Sequence, residues 1–406
     1  MKNTLMLFLL FLYFIAPVFA QKAQEWPQYR GPHNDGISRE TGLAKTWPAN
    51  GPKVLWKAPM GEGYSAIAVS DGRLYTMFAQ GQDEFVHCLD SATGKEAWRA
   101  RIDANFINDQ GNGPRGTPTI DGGLVYALGA QAKLVALNAA DGKLVWEQDL
   151  QKNLGAKVPI WGVSSSPLVD GDLLILPVGG SNNNAVVAFK KKTGEVAWKS
   201  QGDEPGYSTP VIAEIGGLRQ LIVFSGTMLL SMNPKDGSLY WKYPWKTNWF
   251  VNAAVPIFIA PDKVFISTSY DHGAAMLQVK VAGGKASVSE VWLSKGMKNH
   301  FNTSIYHNGH IYGFDNAILK CIDATSGETK WQKSGYGKGS LILADGQLIV
   351  LSERGQLLLV EAKPDSYVES ATAQVLQGKC WTQPTLANGK LYLRNQKEII
   401  CIDLKA

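Results

Sequence analysis

The sequence predicts an all-β fold, an eight-bladed β-propeller with four-stranded blades, the last blade closed by a strand near the N-terminus. Three observations carry this expectation. Eight two-residue turns, Asp71-Gly72, Asp121-Gly122, Asp170-Gly171, Gly216-Gly217, Pro261-Asp262, Asn308-Gly309, Asp345-Gly346 and Asn388-Gly389, recur at steps of 50, 49, 46, 45, 47, 37 and 43 residues. Each joins two short apolar stretches rich in β-branched residues, such as GLVYALG and KVFISTS, with no sustained helical period. A second motif follows most turns: VHCLDSATGKEAW ending at Trp98, LVALNAADGKLVW at Trp146, VVAFKKKTGEVAW at Trp198, LLSMNPKDGSLYW at Trp241 and LKCIDATSGETKW at Trp331.

The turns read as tight hairpins, because Asn, Asp and Gly tolerate the positive φ such turns require. Each unit then holds four strands, and four strands in 40 to 50 residues is the period of a propeller blade. In the second unit the inner strand is TPTID, the second LVYALG, the third KLVALNA and the outer KLVWEQD. The motif glycines (Gly94, Gly142, Gly194, Gly237, Gly327) fall in the hairpin between strands three and four. The tryptophan four residues later lies on the outer strand, where one indole per blade can clamp the next blade. The fifth and seventh units are degenerate, one stretched before Trp292 and the other lacking a tryptophan.

Closure is legible too. The eighth unit, beginning near Trp381, reaches IICIDLKA without a glycine or an outer strand, and KVLWKA (Lys53 to Ala58) supplies an orphan strand bearing Trp56. Joining them gives a closed ring without a free edge. The domain division expected is a leader over 1–20, an irregular segment over 21–52, and the propeller over 53–406. The leader, MKNTLMLFLLFLYFIAPVFA, has Lys2, an apolar run and small residues near Ala20, the layout of a signal peptide. A periplasmic or secreted protein follows, with no transmembrane segment after cleavage, and a monomer is expected.

The 40 Lys and Arg against 35 Asp and Glu are dispersed along the chain without blocks, which argues against a nucleic-acid partner. Cys88, Cys321 and Cys401 occupy a slot held by Ala136, Ala188 and Ser231 in sister units, so they read as small buried side chains rather than disulfide partners. Cys380 lies outside that slot and is undecided. His307 and His310 straddle a hairpin turn and read as solvated turn residues, not a zinc site. GYGKGS (Gly335 to Ser340) lacks the spacing of a phosphate loop.

The A/C-x-D-x-x-T-G-x-x-x-W unit resembles the PQQ-binding-like β-propeller repeat of bacterial quinoproteins and of the outer-membrane assembly factor BamB. The resemblance covers nearly all of residues 25 to 406. The opening WPQYRGPHNDGIS is similar to exported quinoprotein alcohol dehydrogenase-like proteins. That resemblance implies one of two functions. One is a binding or scaffold module of the cell envelope, whose partner is an envelope protein or an extracellular polymer. The other is a PQQ-dependent alcohol or sugar oxidoreductase with an external electron acceptor. The chain has no adjacent Cys-Cys pair to stack a quinone, no Cys-x-x-Cys-His for a haem, and Gln21 where BamB carries its lipidated cysteine.

In a propeller, the loops entering the inner strands converge on one mouth of the channel. Aligning the units there gives a ring of Tyr64, Arg115, Ser164, Tyr207, Ala253, Phe301, Lys338 and Trp381, with Trp161, Asn252, His300 and Asn302 close by. Aromatic faces with cations suit a flat anion. Arg115, Tyr207, Phe301, Lys338, Trp381, Tyr64 and Trp161 are therefore the candidates for holding PQQ. For the divalent ion such as calcium that accompanies the quinone in this family, the ring-proximal candidates are Asn252 and Asn302. Equally, the ring residues could pack as a plug against the segment before Lys53. No general base can be nominated.

Overall fold

The computed structural model describes residues 25–180 and 183–405, so the expected leader over 1–20 lies outside the described residues. Eight four-stranded antiparallel sheets follow one another around a ring. Blade 1 is built from Ala68–Ser70, Arg73–Gln80, Asp83–Asp90 and Glu96–Ala104. Blades 2 to 7 start with the inner strands Thr119–Asp121, Leu168–Asp170, Val211–Ile215, Ile257–Ile259, Ile305–His307 and Ser340–Ala344. Blade 8 takes Thr385–Ala387, Lys390–Arg394 and Glu398–Asp403 from one end of the chain and Val54–Pro59 from the other. Trp56 pairs with Cys401 and Lys57 with Ile400, so the expected closure is present in register. The ring is sealed, but edges remain: every outer strand has one unpaired side, because each blade is a separate sheet.

The hairpin turns fall where expected, with small shifts. Asp71-Gly72, Asn308-Gly309, Asp345-Gly346 and Asn388-Gly389 each have two positive φ values, the geometry that fits the twist of flanking strands. In blades 2 and 3 the turn sits one residue later, at Gly122-Gly123 and Gly171-Asp172, because Asp121 and Asp170 still pair with Leu124 and Leu173.

The register explains the small slot. Cys88, Ala136, Ala188, Ser231 and Cys321 stand directly opposite Trp98, Trp146, Trp198, Trp241 and Trp331. A bulky residue there would compete with the indole for the same side of the sheet. All four cysteines are free and buried, and burial pushes the Cys401 and Cys380 thiols up to about 12, leaving them inert.

Most of these indoles donate into the next blade, whereas Trp241 Nε1 donates to Gln220 Oε1 of its own blade at 2.9 Å. Trp98 Nε1 donates to Ala139 O at 3.0 Å, Trp146 to Lys191 O at 3.0 Å, Trp198 to Pro234 O at 3.2 Å, and Trp292 to Ala324 O at 3.1 Å. Across the closure seam, Trp56 Nε1 donates to Ser91 O at 3.2 Å. The degenerate blades find other solutions. Blade 5 extends its last two strands to Gly273–Ala282 and Lys285–Ser294 and leans them on blade 4, where Tyr243 Oη donates to Glu290 at 2.6 Å. Blade 7 has Ala371 opposite Leu359 in place of the tryptophan and its small partner. Trp47, from the N-terminal segment, packs on the same apolar cluster and donates Nε1 to Thr372 O at 3.2 Å.

From Glu25 to Pro52 the chain has no regular helix or strand and runs across the mouth opposite the predicted ring. Trp26 bridges Val69 of blade 1, Ser38 N donates to Leu343 O of blade 7, and Ala44 N donates to Leu404 O beyond blade 8. Buried Arg30 crosses the middle and donates to Ser304 O at 3.0 Å. This segment forms a floor beneath the channel.

Candidate functional site

All eight residues of the predicted ring line one cavity of about 380 Å³, together with Trp161, His300 and Asn302. Its floor includes Tyr29 of the N-terminal segment, so the segment closes the far end rather than plugging the ring. Around the wall the rings form an almost continuous belt. Tyr64 and Trp381 have centroids 5.3 Å apart, Trp381 and Phe301 4.9 Å, and Phe301 and His300 5.5 Å. The belt goes on through His300 and Tyr270 at 5.3 Å, Tyr270 and Trp161 at 6.4 Å, and Trp161 and Tyr207 at 6.0 Å. Arg115 closes it, with its guanidinium 5.8 Å from the Tyr64 ring centre and Nε donating to Trp161 O at 2.6 Å. Such spacings are those of favourable aromatic pairs.

Arg115 does more holding than presenting. Besides Trp161 O it donates to Gly111 O at 2.6 Å and to Gly113 O, and it lies over the Phe106 ring at 4.8 Å. Three of its five donors are thus engaged by backbone carbonyls of the loops that frame the cavity. Behind it sits Glu84, fully buried, accepting from Ala130 N at 3.0 Å and Phe106 N at 3.3 Å. Burial pushes the Glu84 carboxyl up to about 7. Tyr64 donates Oη to Gln110 O at 2.5 Å, and burial raises its phenol to about 12.

On the opposite wall, Lys338 Nζ lies 3.2 Å from His300 Nε2. Burial first, then the Lys338 charge, push His300 down to about 4. Glu353 stands behind them, accepting Trp381 Nε1 at 2.8 Å and the Lys338 backbone N–H at 3.2 Å. Lys379 rests 4.1 Å over the Trp381 ring.

The metal candidates fare differently. Asn252 is fully buried outside the cavity wall, with Nδ2 donating to Ser225 O at 2.8 Å and Trp245 O at 3.0 Å and Oδ1 accepting from Thr268 at 3.1 Å. Alignment placed its backbone near the mouth, but its side chain turns inward to tie three loops. Asn302 does line the cavity, and its amide N–H is engaged by Gly339 O. Among the described residues no group of three or more His, Cys, Asp or Glu could hold a metal ion. His307 and His310 bond to Asn308 within their own turn.

Two aromatic wall residues escaped the sequence reading. Tyr270 comes from the turn between the second and third strands of blade 5, where it has φ 58°. Tyr29 comes from the floor. Neither position repeats between units, so no alignment of blades points to them.

The sequence profile of a family described as outer membrane protein assembly factor BamB matches residues 43–128 and 108–333. The chain belongs to that family. A BamB of Burkholderia pseudomallei is 26% identical over 211 residues, covering 50% of this chain and 49% of that protein, about half its length. Among solved structures, the quinohemoprotein alcohol dehydrogenase of Comamonas testosteroni superposes with a TM-score of 0.66 at 14% identity, covering 94% of this chain and 81% of that one. BamB of Moraxella catarrhalis superposes with a TM-score of 0.58 at 13% identity, covering 86% and 98%. At these identities the two superpositions speak to the shared propeller.

A quinone bridged to a divalent ion needs oxygen ligands for the ion and free donors for its carboxylates. The wall of this BamB-family chain does not fit that group. No Asp or Glu lines the cavity among the described residues, and the Asn252 amide is engaged elsewhere. No catalytic step through a quinone is therefore derived.

Proposed function

We propose that this chain is an exported binding or scaffold protein of the bacterial cell envelope, BamB-like but not lipidated, whose partner is an envelope protein or an extracellular polymer. Family membership supports the envelope setting. The observation that carries the binding role is the chemistry of the cavity wall: aromatic rings and cations, with no carboxylate among the described lining residues placed to move a proton to or from a bound alcohol. A rigid ring bearing loops of unlike length on one face suits recognition. No described helix is long and apolar enough to cross a membrane.

The test has two arms. A tagged chain expressed from its own leader is followed through osmotic shock and membrane fractionation; release with the periplasm, or recovery with the envelope, is expected, and retention in the cytoplasm overturns the reading. Purified protein is then given PQQ and calcium and assayed for bound-quinone absorbance and dye reduction with alcohols and sugars. Turnover in that assay transfers the chain to the oxidoreductase reading.

A further inference from the structure

Lys338 and His300 are the only lysine and histidine on the described cavity wall, and they face each other. The imidazole is wedged between Tyr270, stacked at 5.3 Å, and the edge of Phe301 at 5.5 Å, which fixes its plane. Its Nδ1 is buried without a hydrogen-bond partner, so Nε2 is the nitrogen that meets the amine. Both groups are biased toward neutrality. Burial lowers the Lys338 ammonium, Lys379 adds to that, and Glu353 opposes it. Glu353 itself is engaged by the Trp381 indole and the Lys338 backbone.

A half-buried amine beside a neutral imidazole, in a ring-walled cavity, is the arrangement that makes a lysine nucleophilic toward carbonyl compounds. We propose that Lys338 captures an aldehyde borne on a flat, acid-bearing ring and holds it as an imine, with His300 relaying the proton from nitrogen to oxygen. The aromatic belt takes the ring. The acid group faces a wall without carboxylates, where Arg115 keeps two donors and Lys379 lies on Trp381.

The chemistry balances without a cofactor. The neutral Lys338 amine attacks the carbonyl carbon with its lone pair while the C=O π pair moves to oxygen, and His300 Nε2 relays one nitrogen-bound proton to that oxygen. The carbinolamine hydroxyl then leaves as water with the remaining nitrogen-bound proton, and the neutral C=N remains. One water is released and no electrons are transferred. The inference is independent of the envelope reading, since a chain without any partner would still capture the probe.

The probe is 4-formylbenzoate, with cyanoborohydride present to fix the imine, applied to the full protein and mapped by peptide mass spectrometry. Lys143, whose side chain is 83% exposed, serves as the internal reference. Lys338 is expected to be labelled at least about tenfold faster than Lys143, and His300→Phe, which keeps the ring stack, to slow Lys338 labelling by about 100-fold. Benzaldehyde, lacking the acid, is expected to label Lys338 more slowly than 4-formylbenzoate. Lys338→Met removes the adduct and leaves the other sites unchanged. Labelling of Lys338 no faster than Lys143 overturns the proposal, as does a rate indifferent to His300→Phe in a variant that melts cooperatively. Should that variant not fold, the wild-type comparison of the two lysines decides alone.

Discussion

Gly94 of blade 1 lies flat against the indole of Trp56 in blade 8, so that a Cβ on Gly94 would come within 2.4 Å of Trp56 Cε3. The same relationship links Gly142 to Trp98, Gly194 to Trp146 and Gly237 to Trp198, at 2.5, 2.6 and 2.6 Å. The glycine and the tryptophan of the repeat are therefore two halves of one contact, made between neighbouring blades and never within a blade.

Gly94→Ala is expected to cost about 2 to 5 kcal/mol, the sum of a left-handed alanine and an overpacked indole. Gly309→Ala, where φ is also positive (81°) but nothing lies within 4 Å, should cost only about 1 to 2 kcal/mol. Urea denaturation of both variants measures the difference. Equal losses would show that the backbone, not the seam contact, explains the glycine.

Trp47 stands in for the indole that blade 7 lacks. Trp47→Ala should destabilise the protein by about 2 kcal/mol, less than a fully buried tryptophan because one side faces solvent. Hydrogen exchange should show the loss of protection concentrated in Glu369–Gln374, the outer strand of blade 7. A uniform loss across all blades would contradict this placement.

Arg115 and Lys338 share the cavity wall but should respond differently to removal. Arg115→Ala leaves three loop carbonyls unpaired and is expected to cost about 3 kcal/mol, whereas Lys338→Met should stay within about 0.5 kcal/mol of the parent. Thermal melts of the two single variants are sufficient to tell.

Between pH 4 and 7, Glu84 and His300 pull the pH dependence of stability in opposite directions. The Glu84 carboxyl, raised to about 7 in the folded chain, keeps a proton that the unfolded chain releases, so its contribution falls as pH rises, by about 3 kcal/mol across the window. His300, held down to about 4, refuses a proton that the unfolded chain accepts below about 6.5, so its contribution is lost as pH falls. Relative to the parent, Glu84→Gln should therefore tilt the slope toward stability rising with pH, and His300→Phe should tilt it toward stability falling with pH. Chemical denaturation at a series of pH values reads both slopes.

The blades were legible because their signals are local and repeated: Asn308-Gly309 can hardly be anything but a hairpin, and Cys321 finds Trp331 at the same offset in sister units. The ring was legible by position, since the chain enters each inner strand at an equivalent height. Direction was not. Asn252 sits at the right place in the alignment and points the wrong way, because the Trp245 loop is held by its amide. Arg115 sits at the right place and is held by carbonyls of its own loop and of the Trp161 loop. Tyr270 and Tyr29 reach the cavity from segments that have no counterpart in other units, and only the tertiary structure brings them there.

The pairing of Trp56 with Cys401 has a bearing on the order of assembly. The strand that finishes the wheel is made before every other strand of the ring, and its template, Glu398–Asp403, after all of them. Throughout synthesis Val54–Pro59 must wait with its backbone unclaimed, and bringing two such distant segments together costs about 5 kcal/mol of chain entropy. Until that late handshake the nascent protein is an open arc with a sticky end, so any factor that shelters one segment in the meantime would govern the yield of the finished ring.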